Sequence, residues 1–440
     1  MNVYSNRGDT HPITNEGDVM KGRSSKRHRR LYVCLCLLSL LLVTTFAAPA
    51  FAQEDSEVAR GMGEELRTPI SQPGSVEDMT LLQDELHRWN KDMDVWFMLM
   101  LVAFLMLFIK KFEWGVCLAV CLVTATSFIS YCAIKQFLFG WEWNQRMIIM
   151  GVFCAITVVI AIGVFLGTIR MWQYLLAGAL FAPAFALVEW WMFTFLKGVV
   201  DPGGSMLVHM VAAYWGWGVI LALREKRAFD EPKNLTTHSV SFVWLASMLL
   251  WVLWPSFVTA LLPADQVHWG MVTCYMAGLG SIISAYIFCM IYQGKVNPLV
   301  YTYALMAGPV AIGSPLLSVG PWGALMIGLI AGFISTTSFI HVQERLCKAM
   351  GVLDVMGVNN LHGVCGIFGA IAGAILAAGW VNIISLIGVF MISIVTGLIS
   401  GFIIRATRGV MDKLFADATD FDLWHPEPLG IEDGVVTENK

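Results

Sequence analysis

Charge is scarce in this sequence. Only 14% of its residues are Asp, Glu, Lys or Arg, whereas 57% are apolar. A soluble domain carries roughly 25% charged residues, so the chain reads as a polytopic membrane protein rather than a globular enzyme. Its net charge of -4 gives no hint of nucleic acid as a partner. The 10 cysteines contain no Cys-x-x-Cys pair. Cys117, Cys121 and Cys154 lie inside apolar runs, so neither a zinc site nor a disulfide framework is implied. His-Glu-x-x-His and Gly-x-Gly-Asp are also missing. Either would have favoured an intramembrane enzyme with Asp and His as metal ligands. The expectation is a protein that is not an enzyme and needs no cofactor.

What is present is ordered along the chain. A basic stretch from Met20 to Arg30 precedes an apolar run from Leu31 to Phe46, and Ala50-Phe-Ala52 closes it. That is the pattern of a secretory signal peptide over residues 1–52, with Met20 as the natural start and a mature end near Gln53. Residues 53–92 are polar and acidic and read as an extracytoplasmic arm. Within them, Ser75 is placed to cap a short amphipathic helix over Leu81, Leu82 and Leu86.

Residues 93–405 hold eleven apolar stretches able to cross a hydrocarbon core about 30 Å thick. They run Val95–Ile109, Trp114–Ile134, Met147–Leu166, Tyr174–Leu196, Gly203–Leu223 and Val240–Leu262, then Trp269–Tyr292, Leu299–Leu317, Trp322–Ile340, Gly357–Ala378 and Val381–Ile404. Alternate loops collect the basic residues, among them Lys110, Arg170, Arg224, Lys295, Arg345 and Arg405. The intervening loops hold only Lys135, Arg146 and Lys197. Positive loops stay cytoplasmic. The mature N-terminus is therefore expected outside and the tail, 406–440, in the cytoplasm, with the protein in the plasma (inner) membrane.

One pattern occurs twice. Asp201-Pro-Gly-Gly204 leads to His209, and Asp354-Val-Met-Gly357 leads to His362. Both are Asp-x-x-Gly-x₄-His, set 153 residues apart. A single histidine in an apolar helix is usually a satisfied core residue; the recurrence argues against that for this pair. Ionisable groups inside a membrane usually mark a pathway or relay. On the loop assignment, the first motif enters from the outer face and the second from the inner one. That is the signature of an inverted repeat, spans one to five against six to ten with a final helix added. Such repeats place a substrate path at their interface. The aspartates also have a purely structural reading as helix N-caps, and Pro202 suits a first helical position. Ala212/Gly216, Gly328/Gly332, Gly369/Gly373 and Gly397/Gly401 read as small-residue pairs for close helix packing.

The buried polar set is too short for a sugar or amino acid carrier. An apolar path with two neutral imidazoles suits a very small solute able to shed its charge. Phe153 and Phe257 lie at similar depths, each about 8–10 Å in from an outer helix end. They read either as a ring stack over the path or as packing aromatics.

These segments resemble the ammonium transporter/Rhesus family, and more closely its Rhesus branch. The resemblance is carried by Asp201 through His209, by Asp354 through Asn359-Asn360-Leu361-His362-Gly363, by Trp254-Pro-Ser-Phe257, and by Phe153-Cys154 leading to Gly163–Gly167. It implies a homotrimer of eleven-helix protomers, each with its own pore for ammonia or ammonium in the lipid bilayer. On that likeness His209 and His362 are the twin pore histidines, Phe153 and Phe257 the gate, and Asp201 the aspartate below the outer vestibule. Asp354 is its pseudo-symmetric counterpart, and Asn360 belongs to the same pore set. Glu189 resembles an acidic vestibule residue of the Rhesus branch. Where the ammonium-transporter branch has a tryptophan at an outer cation site, this chain has Trp190 and Trp191 nearby. The likeness also admits a gas channel for carbon dioxide as well as ammonia. An ammonium sensor fits less well, since family sensors carry a signalling domain after the last span.

Overall fold

The computed structural model describes residues 76–106, 113–229, 237–410, 430–432 and 435–437. The expected signal peptide, most of the arm and most of the tail lie outside the described residues. Contacts divide the chain into Met1–Met79 and Thr80–Lys440, and the architecture below is that of the second unit.

It is built from helices. In order they are α1 (Val76–Leu105), α2 (Glu113–Phe139), α3 (Gln145–Ile162), α4 (Gln173–Trp190), α5 (Val211–Leu223), α6 (Thr237–Thr259) and α7 (Ala264–Gln293). Two short helices follow, α8 (Pro298–Ala304) and α9 (Ala307–Ile312), then α10 (Pro321–Thr337), α11 (Gln343–Met350), α12 (Val364–Gly373) and α13 (Trp380–Arg408). A small antiparallel hairpin, Gly430–Glu432 with Val435–Thr437, lies in the tail, so the all-α expectation holds for the membrane region but not there.

Among the described residues nine helices are long and apolar enough to cross a membrane. The expected first and eighth spans are helical but fall outside that set. α1 brings Lys91, Asp92 and Asp94 to the start of its apolar stretch. The eighth expected span is the broken pair α8–α9, 298–312. α1 runs without interruption through residue 92, where the arm is expected to give way to the membrane domain. Its polar and apolar halves are both good helix formers, and nothing between them stops the helix.

The small-residue pairs pack as their spacing predicts. Gly328 and Gly332 of α10 lie against the backbone and side chains of Ala277, Ser281 and Ser284 on α7. Gly397 and Gly401 of α13 lie against Trp215 and Val219 on α5. A side chain at any of these would meet backbone or side-chain atoms at less than 3 Å.

The two motif segments dock reciprocally. Gly203 N–H donates to the Gly313 carbonyl just past α9 (2.7 Å), and Met356 N–H donates to the Gly163 carbonyl just past α3 (3.1 Å). In each case the residue two after the motif aspartate bonds the glycine that follows an Ile at a helix end. Gly204 and Gly357, three after each aspartate, have φ of +77° and +73°. That left-handed turn explains why glycine occupies this place in both motifs.

Candidate functional site

Each motif starts its helix with a wide π-helical turn, Ser205–Met210 before α5 and Asn359–Gly363 before α12. Such turns are rare and recur at functional sites. Both histidines sit in them, and they meet: His209 Nδ1 and His362 Nδ1 are 3.0 Å apart, with ring centroids 5.1 Å apart and planes 27° from parallel. At that distance one nitrogen donates and the other accepts, so the two rings hold complementary tautomers. His209 Nε2 is buried and finds no partner among the described residues.

The aspartates hold these turns in place. Asp201 accepts from the N–H groups of Met206 (3.0 Å) and Leu207 (2.9 Å). Asp354 accepts from Val358 and Asn359 N–H (both 2.9 Å) and from Trp217 Nε1 (3.3 Å). Both carboxylates are buried, and their acceptor positions are occupied by the backbone. They position the histidines and line neither cavity described below. Asn360 accepts from Ser338 Oγ (2.7 Å) and donates to the Gly357 carbonyl (3.2 Å), which braces the second turn.

Two narrow cavities meet at the histidine pair, with volumes of about 30 Å³ and about 40 Å³. The first is walled by Met98, Ile156, Leu250, Trp254 and Phe257, with both histidines. The second is walled by Val159, Tyr303, Phe339, Met356 and Leu361, with His362 alone. Val102, Leu105 and Ile160 belong to both. The walls are almost wholly apolar, so a solute between the cavities meets hydrogen-bonding groups chiefly at the imidazoles.

Phe153 and Phe257 are in contact, with centroids 4.9 Å apart and planes inclined 46°. Phe257 also lies 5.9 Å from the His209 ring, so the predicted pair adjoins the histidines. Phe257 borders the first cavity and Phe153 packs behind it. In the sequence Trp254 stands out only as part of a motif. It stacks on His209 at 5.6 Å. Its place one helical turn before Phe257 on α6 is the sequence signal that marks it as a wall residue. The contribution of α1 through Met98, Val102 and Leu105 carries no comparable signal in its composition.

Glu189 departs from its expected surroundings. It is buried on α4, 2.8 Å from Lys135 Nζ, and accepts from Tyr131 O–H at 2.8 Å. Lys135, expected in a loop, lies inside α2. Its ammonium is 4.4 Å from the Trp141 ring centroid and 5.0 Å from that of Phe139. The Glu189 charge is therefore paired with that of Lys135 between α4 and α2. Trp191 stacks on Phe195 at 5.1 Å and packs on Gly388 of α13. Neither it nor Trp190 borders the two cavities.

A polytopic helical membrane protein with a histidine-paired lumen is thereby defined. The sequence matches the Ammonium Transporter Family over residues 76–415, and the chain belongs to that family. Human Ammonium transporter Rh type C is 33% identical over 254 residues, 54% of this chain and 53% of that one. Ammonium transporter Rh type B-B of Xenopus laevis is 28% identical over 367 residues, covering 80% and 78%. The chain thus spans about half the length of the Rh type C relative it matches. Among solved structures, Nitrosomonas europaea Rh50, of the Rhesus protein family of channels, superposes with a TM-score of 0.73. It is 30% identical, covering 76% of this chain and 91% of that one. Candida albicans Mep2, at 17% identity and a TM-score of 0.58 over 73% and 82% of the two chains, shares the fold.

Proposed function

We propose that the protein conducts ammonia, taken from ammonium, through this lumen, with His209 and His362 as the polar station between its two cavities. The observation that carries the reading is the 3.0 Å contact between the buried His209 ring and the half-buried His362 ring where two apolar cavities meet. An ammonium ion entering such surroundings loses its hydration at a cost of several kcal/mol even after relaxation. Neutral ammonia avoids most of that. The unpartnered Nε2 of His209 is available to accept a hydrogen bond from the passing molecule.

The finer assignments belong to the same reading. Eleven crossings, counting α1 and the broken α8–α9, arranged as a 5+5 inverted repeat with α13 added, are supported by the reciprocal docking of the two motifs. A mature N-terminus outside and a cytoplasmic tail are supported by the basic loops. A homotrimer in the plasma (inner) membrane follows from the family likeness. Phe153 and Phe257 are the gate, Asp201, Asp354 and Asn360 the supports of the histidine turns, and Glu189 a structural partner of Lys135.

Stopped-flow pH measurement on proteoliposomes, run beside electrical recording, tests the proposal. Ammonia-linked alkalinisation above that of empty vesicles is expected. No difference from empty vesicles overturns it. The apolar walls favour a second solute of the same class, carbon dioxide, and faster acidification by that gas than alkalinisation by ammonia would make it the principal one.

A further inference from the structure

The two docking glycines share a further relation. Phe153 lies ten residues before Gly163, which follows the end of α3, and Tyr303 lies ten residues before Gly313, which follows the end of α9. Tyr303 therefore stands to one docking glycine as Phe153 stands to the other. Phe153 meets Phe257, which borders the first cavity. Tyr303 meets Phe339, with ring centroids 5.7 Å apart and planes 18° from parallel, and both border the second cavity. Tyr303 sits about 8 Å from the start of α8. That start follows the loop with Lys295, which the basic residues assign to the cytoplasmic side.

The two aromatic pairs differ in one group. Among the described residues bordering the two cavities, Tyr303 alone carries a hydroxyl. Its O–H donates to the Leu105 carbonyl at 2.7 Å. Leu105 is the last residue of α1, where a helix leaves its carbonyls without intrahelical partners, and it borders both cavities. Phe339 is held from the opposite side. Its ring edge stands where a side chain on Gly357 would project, and the neighbouring Ser338 donates to Asn360. The stacked rings are thus tied at one end to α1 and at the other to the turn that carries His362.

We propose that Tyr303 and Phe339 form an inner gate, and that the Tyr303 hydroxyl makes it selective for solutes able both to donate and to accept a hydrogen bond. The gate rests on the reading of the lumen as an ammonia path and adds its selectivity. A solute passing between the rings opens the Tyr303–Leu105 bond. Ammonia fits between hydroxyl and carbonyl, its lone pair accepting from Tyr303 and one N–H donating to Leu105. One hydrogen bond is then exchanged for two. Carbon dioxide has no N–H or O–H to give, so it leaves the carbonyl unpaired, and a buried acceptor without a partner is costly.

The test measures ammonia-linked alkalinisation and carbon dioxide-linked acidification in the same proteoliposomes, each above empty vesicles. Tyr303→Phe keeps the ring and removes the hydroxyl. It is expected to raise the ratio of carbon dioxide to ammonia flux about fivefold, the worth of one net hydrogen bond. Tyr303→Leu raises the ratio too and decides the matter if Tyr303→Phe fails to assemble. Phe339→Leu keeps the hydroxyl and its bond, so both fluxes should rise with the ratio of the unmodified protein. The Tyr292 hydroxyl lies beside Thr337 and borders neither cavity, so Tyr292→Phe should change neither flux. A ratio unmoved by loss of the Tyr303 hydroxyl, or raised as much in Phe339→Leu, overturns the selective gate. An unmodified protein that conducts no ammonia removes the gate together with the transport reading; conduction with an unmoved ratio removes the gate alone.

Discussion

His209 and His362, 153 residues apart in the chain, bring their Nδ1 atoms to 3.0 Å. Each ring is carried by a π-helical turn that a buried aspartate caps, and each turn follows a left-handed glycine. Two ionisable rings in contact share their titration, which belongs to the pair rather than to either ring.

Replacing either ring with Ala leaves the other without its hydrogen-bond partner. An unsatisfied buried polar group costs about 1–3 kcal/mol, so ammonia-linked flux is expected to fall roughly five- to 150-fold in His209→Ala and in His362→Ala. Any ammonium-dependent current should vanish with it, and His362→Glu should restore part of that current. Flux like the unmodified protein's in the double mutant would reduce the pair to packing.

Phe257 lines the first cavity and lies 5.9 Å from the His209 ring, so Phe257→Ala is expected to raise methylamine flux relative to ammonia. Phe104 makes a poor control because it stacks on Phe242. Phe402, 57% exposed, serves instead, and Phe402→Ala should leave the ratio unchanged. An equal ratio in both variants would exclude Phe257 from the gate.

The motif glycines are required by backbone geometry. Gly204→Ala and Gly357→Ala force a side chain into left-handed φ at about 1–2 kcal/mol. Each new Cβ also comes within 3 Å of a neighbour, Val208 Cγ2 or Phe339 Cε1. Both variants should unfold in detergent at a lower temperature than the unmodified protein. Unchanged unfolding midpoints would show that the turns relax freely.

Removing Lys135 strands Glu189 in a buried site. Breaking one side of a buried pair costs about 3–5 kcal/mol, so Lys135→Met is expected to be poorly stable. Lys135→Met with Glu189→Met should recover most of the loss. Thermal unfolding of the four-member cycle measures the coupling; an additive result would mean the pair contributes nothing specific.

Acid should loosen the end of α13. Glu225 takes hydrogen bonds from Arg227 and one from Arg408 Nη1 (3.3 Å), and Arg408 also bonds the Thr168 carbonyl. Burial pushes the Glu225 carboxyl up, but the hydrogen bonds and charge of Arg227, with the charge of Arg408, outweigh it and hold it below the ordinary value of 4.5. A lowered carboxyl contributes stability above its unfolded value and loses it as pH falls through the folded one. The unfolding midpoint should therefore drop on acidification below pH 4.5, and Glu225→Gln should flatten that drop. Parallel pH profiles would refute the linkage.

Much of this protein was legible as a string. Apolar length, loop charge and the repeated Asp-x-x-Gly-x₄-His depend on residues near one another in the chain. They fix helix placement, the caps and the glycine turns through local sterics and hydrogen bonding. Small-residue spacing likewise predicts close helix approach, since only backbone thickness is at issue.

What local pattern leaves open is which faces meet. Periodicity says that Met98, Val102 and Leu105 share a face, but not that this face borders the histidines. It puts Lys135 in a loop and gives no sign of its pairing with Glu189, because the pair forms only when α2 and α4 pack. The same holds for the hydrogen bonds of Ser256 with Lys91 and Asp94, whose partners are 165 and 162 residues apart. Burying charge is tolerable only where a partner arrives from elsewhere in the fold. For that reason tertiary structure alone decided which partner each of these charges meets.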